Sequence, residues 1–209
     1  MRTLVIDTAT QALSIALFEG ASLIAHHHEI VGRGHAERLM PAIAALPDGG
    51  RAQRIAVDVG PGSFTGVRIG LAAARALAYA WDATLEGYSA MALVAAAVRE
   101  DGLETWPVAI AMTGGHGELF WQMFDAGLVP IADLESVPTA ILASRVSSPA
   151  IYGSGAEALI AARGFGEAAP LLPDARLFPH LTDIASLPAR PLYGRGADAK
   201  PMAAQAGSS

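Results

Sequence analysis

Two short stretches hold the residues that could do chemistry. The first is Asp7-Thr8-Ala9-Thr10-Gln11, an acid and two threonines at a tight polar turn between apolar runs. Such a turn suits a phosphate- and magnesium-binding hairpin, and equally an ordinary polar turn, because Asp and Thr favour turns. The second is Gly60-Pro61-Gly62-Ser63-Phe64-Thr65-Gly66-Val67-Arg68-Ile69-Gly70-Leu71, which follows a buried-type strand and opens an alanine-rich helix reaching to about Trp81. The hydroxyl of Thr65 or of Ser63 can cap that helix. A strand, a glycine turn and a helix in succession present unpaired N–H groups, a natural anion site. Asp7, Thr8, Thr10, Gly60, Gly62 and Ser63 are the candidate nucleotide-proximal residues.

The glycine stretch fails each nucleotide or nucleophile motif it approaches. A P-loop ends in Gly-Lys-Ser/Thr, and no lysine stands here. Gly60, Gly62 and Gly66 read G-x-G-x-x-x-G, one residue longer than a dinucleotide fingerprint, although Glu86 sits where a ribose-binding acid would. A nucleophile elbow needs glycines two residues either side of the serine, and Ser63 has Pro61 and Thr65.

The helix after the turn is patterned. At 100° per residue, Gly66, Gly70, Ala73, Ala74, Leu77 and Ala80 share one face, with Arg68, Ala72, Arg75 and Tyr79 opposite. Small residues at four-residue spacing admit another backbone closely. That backbone belongs either to the protein's own sheet or to a partner subunit. Gly70→Leu separates the two: lost partner contact with intact circular dichroism means a partner, unfolding means the protein's own core.

His26-His27-His28 suggests a metal, but on a strand only His26 and His28 share a side and no third ligand stands nearby. An exposed edge strand is the reading for this run. Cysteine is absent, which removes disulfides, thiolate zinc, iron–sulfur clusters and a cysteine nucleophile. It also removes the zinc-deaminase pattern, although His35-Ala36-Glu37 and His116-Gly117-Glu118 both read H-x-E.

The 209 residues suffice for one large or two small domains, and 52% hydrophobic against 16% charged content excludes disorder and coiled coil. So little charge favours an obligate partner. A net charge of −6 gives no footprint for nucleic acid, so another subunit would supply phosphate contacts to any RNA. With a strand-like start broken by Asp7 and no apolar run of spanning length, neither a signal peptide nor a membrane span is expected, and the cytoplasm is the expected location.

The elements that must position these residues follow from periodicity. Strands are expected at Thr3–Ile6, Ala12–Phe18, Leu23–Val31, Arg54–Val59, Thr84–Gly87, Pro107–Met112, Glu118–Phe124, Leu128–Ala132 and Ala150–Tyr152. Helices are expected at Gly34–Leu46, with Pro41 kinking it or ending its first turn, at Gly66–Trp81, and at Ser89–Arg99 with Ser89 as cap. Two more are expected at Pro138–Ala143 and Gly155–Ala162. Beyond Gly164 there is little periodicity, with a helical turn at Thr182–Leu187 and a frayed tail from Asp198. A lobe boundary falls at Glu100–Glu104, giving lobes 1–101 and 102–196 and a disordered tail 197–209.

Met1-Arg2-Thr3-Leu4-Val5-Ile6-Asp7-Thr8-Ala9-Thr10 and the twelve-residue glycine stretch strongly resemble the bacterial TsaB (YeaZ) family, as do Arg33-Gly34-His35-Ala36-Glu37, Leu39-Met40-Pro41 and Pro191-Leu192-Tyr193-Gly194-Arg195. The resemblance implies an α/β, actin-like ATPase (ribonuclease H-like) fold of two lobes, the second reduced. It implies a non-catalytic role in forming threonylcarbamoyladenosine at position 37 of tRNA, through a heterodimer with the transferase TsaD. The ATPase TsaE joins a ternary complex, tRNA is met indirectly, and the isolated chain pairs with itself. No cofactor is implied for this chain alone; ATP or ADP with magnesium belongs at the complex interface. The implied partner surface is His35, Leu39, Ile43, Gly66, Arg68, Gly70, Ala73, Ala74 and Leu77. Thr113-Gly114-Gly115 stands where the family reads Asp-Ala-Arg, and Ala36 where it has a hydroxyl residue. The rival expectation is a weak nucleotide hydrolase or phosphotransferase, with Asp7 on magnesium, Gly60–Gly66 on phosphate and Asp58 as the one obvious second acid.

Overall fold

The computed structural model describes residues 1–102, 105–181 and 186–192. Its first sheet has the order β3-β2-β1-β4-β5. Strands β1 (Arg2–Asp7), β2 (Ala12–Glu19) and β3 (Ser22–Ile30) form an antiparallel meander, and β4 (Arg54–Asp58) and β5 (Thr84–Tyr88) run parallel to β1. Strands β1, β2 and β4 are buried almost throughout, so they read as continuous apolar runs rather than alternating ones. The outer strand β3 alternates between exposed and half-buried residues, which is where the three histidines fall.

Helices α1 (His35–Ala44) and α2 (Phe64–Trp81) cover one face of this sheet. Helix α1 carries on through Pro41 and ends one turn later, with Ala45 N–H bonded to Pro41 O at 3.0 Å. Helix α2 starts two residues earlier than the periodicity predicts and ends at Asp82, which takes the left-handed conformation at φ 55°. Helix α3 (Ala90–Glu100) is buried along most of its length between the two sheets, and every one of its core-facing residues is Ala, Met, Leu or Val. Ser89 precedes it but makes no side-chain cap bond, contrary to expectation.

The second sheet has the order β10-β9-β6-β7-β8, from β6 (Val108–Thr113), β7 (Glu118–Phe124), β8 (Glu135–Pro138), β9 (Ala150–Tyr152) and β10 (Glu167–Ala169). Helices α4 (Thr139–Arg145) and α5 (Ala156–Arg163) pack on it around Ala109, Ala111, Leu119, Leu142, Ile151 and Leu159. The strand expected at Leu128–Ala132 is not one. It is a turn closed by Asp125, whose carboxylate accepts from the N–H groups of Gly127 and Val129, and the third strand comes later, at β8. Strand β10 and the 3-10 segment Ala175–Leu181 were not expected, since neither carries a periodic pattern.

The end of the described chain returns to the first sheet. Ala175 N–H donates to Ser14 Oγ at 2.9 Å, Phe178 meets the Tyr88 ring at 5.4 Å between centroids, and Leu187 exchanges two backbone hydrogen bonds with Gly87. Leu192 N–H then donates to Val59 O at 2.7 Å. The expected turn at Thr182–Leu187 falls largely, and the tail 197–209 wholly, outside the described residues, as does Tyr193-Gly194-Arg195.

Candidate functional site

Register decides which side chains meet. Val5 pairs Ala56 and Ala56 pairs Glu86, so by alternation Asp7, Asp58 and Tyr88 stand on one face at the carboxyl ends of three adjacent parallel strands. Open α/β sheets place ligands at such ends. The Asp7–Gln11 turn and the Gly60–Gly66 turn are brought together there, as their chemistry suggests.

The two turns are in contact, with no gap for a ligand between them. Ser63 N–H donates to Ala9 O at 2.7 Å, and a Cβ on Gly62 would overlap that same carbonyl. A Cβ on Gly66 would overlap Thr8 O, and one on Gly70 would overlap Thr8 Oγ1. Gly60 at φ 95° makes the reversal that L residues with side chains rarely adopt. The glycines are thus needed for chain-to-chain approach.

Several donors and acceptors at the junction are engaged within the chain. Thr8 N–H bonds Asp58 Oδ2 at 2.8 Å and Ala9 N–H bonds Asp7 Oδ1 at 3.2 Å. Gly66 N–H bonds Ser63 Oγ at 3.2 Å, so Ser63, not Thr65, caps α2. Thr10 Oγ1 accepts from Ala12 N–H at 3.2 Å within its own turn. Asp7, Thr8 and Asp58 are 1%, 0% and 0% exposed, which leaves neither acid in reach of solvent magnesium. Burial, with the Asp58 charge adding to it, pushes the Asp7 carboxyl well above the usual range. Burial raises Asp58 to about 6, held down from further by the Thr8 and Gly60 hydrogen bonds. The arrangement does not fit a magnesium nucleotide.

Sequence reasoning missed Tyr88. Its hydroxyl donates to Ile6 O at 2.9 Å and lies 3.3 Å from Asp7 Oδ2. The available signal was position: it ends the third parallel strand, as Asp7 and Asp58 end theirs. The histidine run makes separate contacts: His28 Nδ1 faces Ser14 Oγ at 3.1 Å, and His27 Nε2 lies 3.1 Å from Glu29 Oε1. Among the described residues no three potential ligands gather around a metal position.

The implied partner surface needs correction. Gly66, Gly70, Ala74 and Leu77 are buried against the protein's own β1 and β4, and Leu39 and Ile43 are each 1% exposed in the same core. His35 is buried as well, its Nε2 3.1 Å from Ala12 O. Small residues at α2's inner face serve the sheet because only they let the helix start sit on the Thr8–Ala9 backbone. Arg68 is exposed and Ala73 half-buried, and the open surface of the helix pair carries Met40, Phe64 and Tyr79.

Two mixed sheets, a meander-plus-parallel first sheet and packed helices define an α/β protein. The family model for "TsaD: tRNA N6-adenosine threonylcarbamoyltransferase" matches residues 24–132. The chain is 37% identical over 130 residues to the tRNA threonylcarbamoyladenosine biosynthesis protein TsaB of Escherichia coli, covering 59% of this chain and 55% of that one. With the protein of the same name from Bacillus subtilis it shares 38% over 109 residues, 49% of this chain and 48% of that one. The matches span about half the length of these curated relatives. The solved structure of YeaZ from Pseudomonas aeruginosa superposes with a TM-score of 0.75 at 27% identity, over 92% of this chain and 99% of that one. The chain belongs to the bacterial TsaB/YeaZ family.

Proposed function

We propose that this chain is a non-catalytic scaffold subunit in the formation of threonylcarbamoyladenosine at position 37 of tRNA, binding the transferase TsaD and holding it in its active form. The observation that carries this reading is the closed junction between the Asp7 and Gly60 turns. The carboxyl ends of the parallel strands, where such sheets place ligands, are filled by the chain itself, which supports a contribution made at a surface. Family membership supports the pathway, and the names of the relatives support the reaction. In this reading TsaE joins the pair with ATP or ADP and magnesium at the interface, tRNA is met through the complex, and the free chain pairs with itself.

The same junction disfavours the rival reading of a hydrolase with Asp7 on magnesium. Among the described residues no helix is long and apolar enough to cross a membrane. The surface offered to TsaD is the outward face of α1 and α2, where Met40, Phe64 and Tyr79 are 45%, 61% and 93% exposed and the Arg68 guanidinium lies 3.4 Å over the Phe64 ring. Light scattering on a sizing column tests the proposal. A one-to-one peak with TsaD from the same organism is the expected result, and its absence across salt and nucleotide conditions overturns it.

A further inference from the structure

The hydroxyl of Tyr88 has one hydrogen and two neighbours that would accept it. Ile6 O is at 2.9 Å and Asp7 Oδ2 at 3.3 Å, so the shorter, better contact takes the hydrogen. The Tyr88 oxygen and Asp7 Oδ2 then face each other with no hydrogen between them unless the carboxyl supplies one. Asp7 Oδ1 is the acceptor for Ala9 N–H, which leaves Oδ2 as the protonated oxygen. The neighbouring acid differs in its contacts: Asp58 Oδ2 accepts from both the Thr8 N–H at 2.8 Å and the Thr8 hydroxyl at 3.2 Å. The groups acting on Asp7 are Asp58 from β4, Tyr88 from β5 and Asp174 just before the 3-10 segment, and none is a cation. A buried carboxylate with no cation beside it is costly, and a neutral carboxylic acid is not.

We propose that Asp7 is held as the neutral acid, its Oδ2–H donating to the Tyr88 oxygen, so that a proton bridges the ends of strands β1 and β5. The proton makes closure of the Thr8–Gly66 junction pH-dependent. The folded chain binds a proton that the unfolded chain releases above the ordinary carboxylate range, so stability falls as pH rises through that interval and on toward the folded-state value.

The test uses the full chain labelled with carbon-13 at aspartate carboxyls. One carboxyl resonance is expected to remain at the protonated position at neutral pH, to vanish in Asp7→Asn and to persist in Asp58→Asn with its midpoint moved down. Asp7→Asn keeps an amide donor for Tyr88 and an acceptor for Ala9, so its melting temperature is expected to vary less with pH than the parent's and to exceed it at alkaline pH. Should Asp7→Asn not fold, the Asp58→Asn spectrum alone decides. All aspartates ionised at neutral pH in the parent, or a protonated resonance that Asp58→Asn abolishes, overturns the inference.

Discussion

Thr8 concentrates the junction in one residue. Its N–H and hydroxyl reach Asp58 and Gly66 O, and its carbonyl underlies the helix start. Thr8→Val is isosteric and deletes only the hydroxyl, so it should lower stability by roughly 1–3 kcal/mol in chemical denaturation, with its bonds to Asp58 Oδ2 and Gly66 O lost. Gly66→Ala should cost more, at least about 3 kcal/mol, because the added carbon overlaps main chain that cannot swing away. Gly70→Leu should unfold the protein as well, because its added carbon overlaps the Thr8 hydroxyl, which hydrogen bonds to Asp58 and Gly66 O hold in place. Asp58, raised to about 6, adds a pH dependence of the same sign: the folded chain keeps its proton up to about 6 while the unfolded chain releases it in the ordinary carboxylate range, so stability drops across that window as pH rises. Asp58→Asn should remove of order 3 kcal/mol of that drop, read from melts at acidic and neutral pH.

At the scale of elements, helix α2 has an inner face fixed by the sheet and an outer face on which Phe64 and Tyr79 stand exposed. Tyr79, 93% exposed, should tolerate replacement by Glu with stability changed by less than about 0.5 kcal/mol, and the same change should abolish the one-to-one peak with TsaD. The strand–turn–helix order around Gly60 and the hairpin at Asp7 were legible in the sequence because apolar runs and glycine punctuation are local signals. Which face of α2 looked inward was not, since a Gly/Ala stripe fits either a sheet or a subunit and only Thr8's position distinguishes them. Segment Ala175–Leu181 was illegible for a different reason. Its anchors, Ser14 and Tyr88, lie far away in sequence and leave no local pattern.

Across the whole molecule, closure of the acid–glycine junction and family membership are both consistent with the scaffold role proposed above. The backbone ladder at Gly87 carries one more implication. Strand β5 is the last of its sheet, and its outer rim is covered by Leu187, a residue made a hundred positions later. Arg75 is likewise tied to Ala189 O at 2.8 Å. On the ribosome, therefore, the amino-terminal half emerges with a bare strand edge and must wait for nearly all of the polypeptide before that edge is shielded. Nascent chains stalled before Leu187 should present a ready template for aberrant strand pairing, and clipping the carboxyl end after synthesis should recreate that vulnerability in the finished protein.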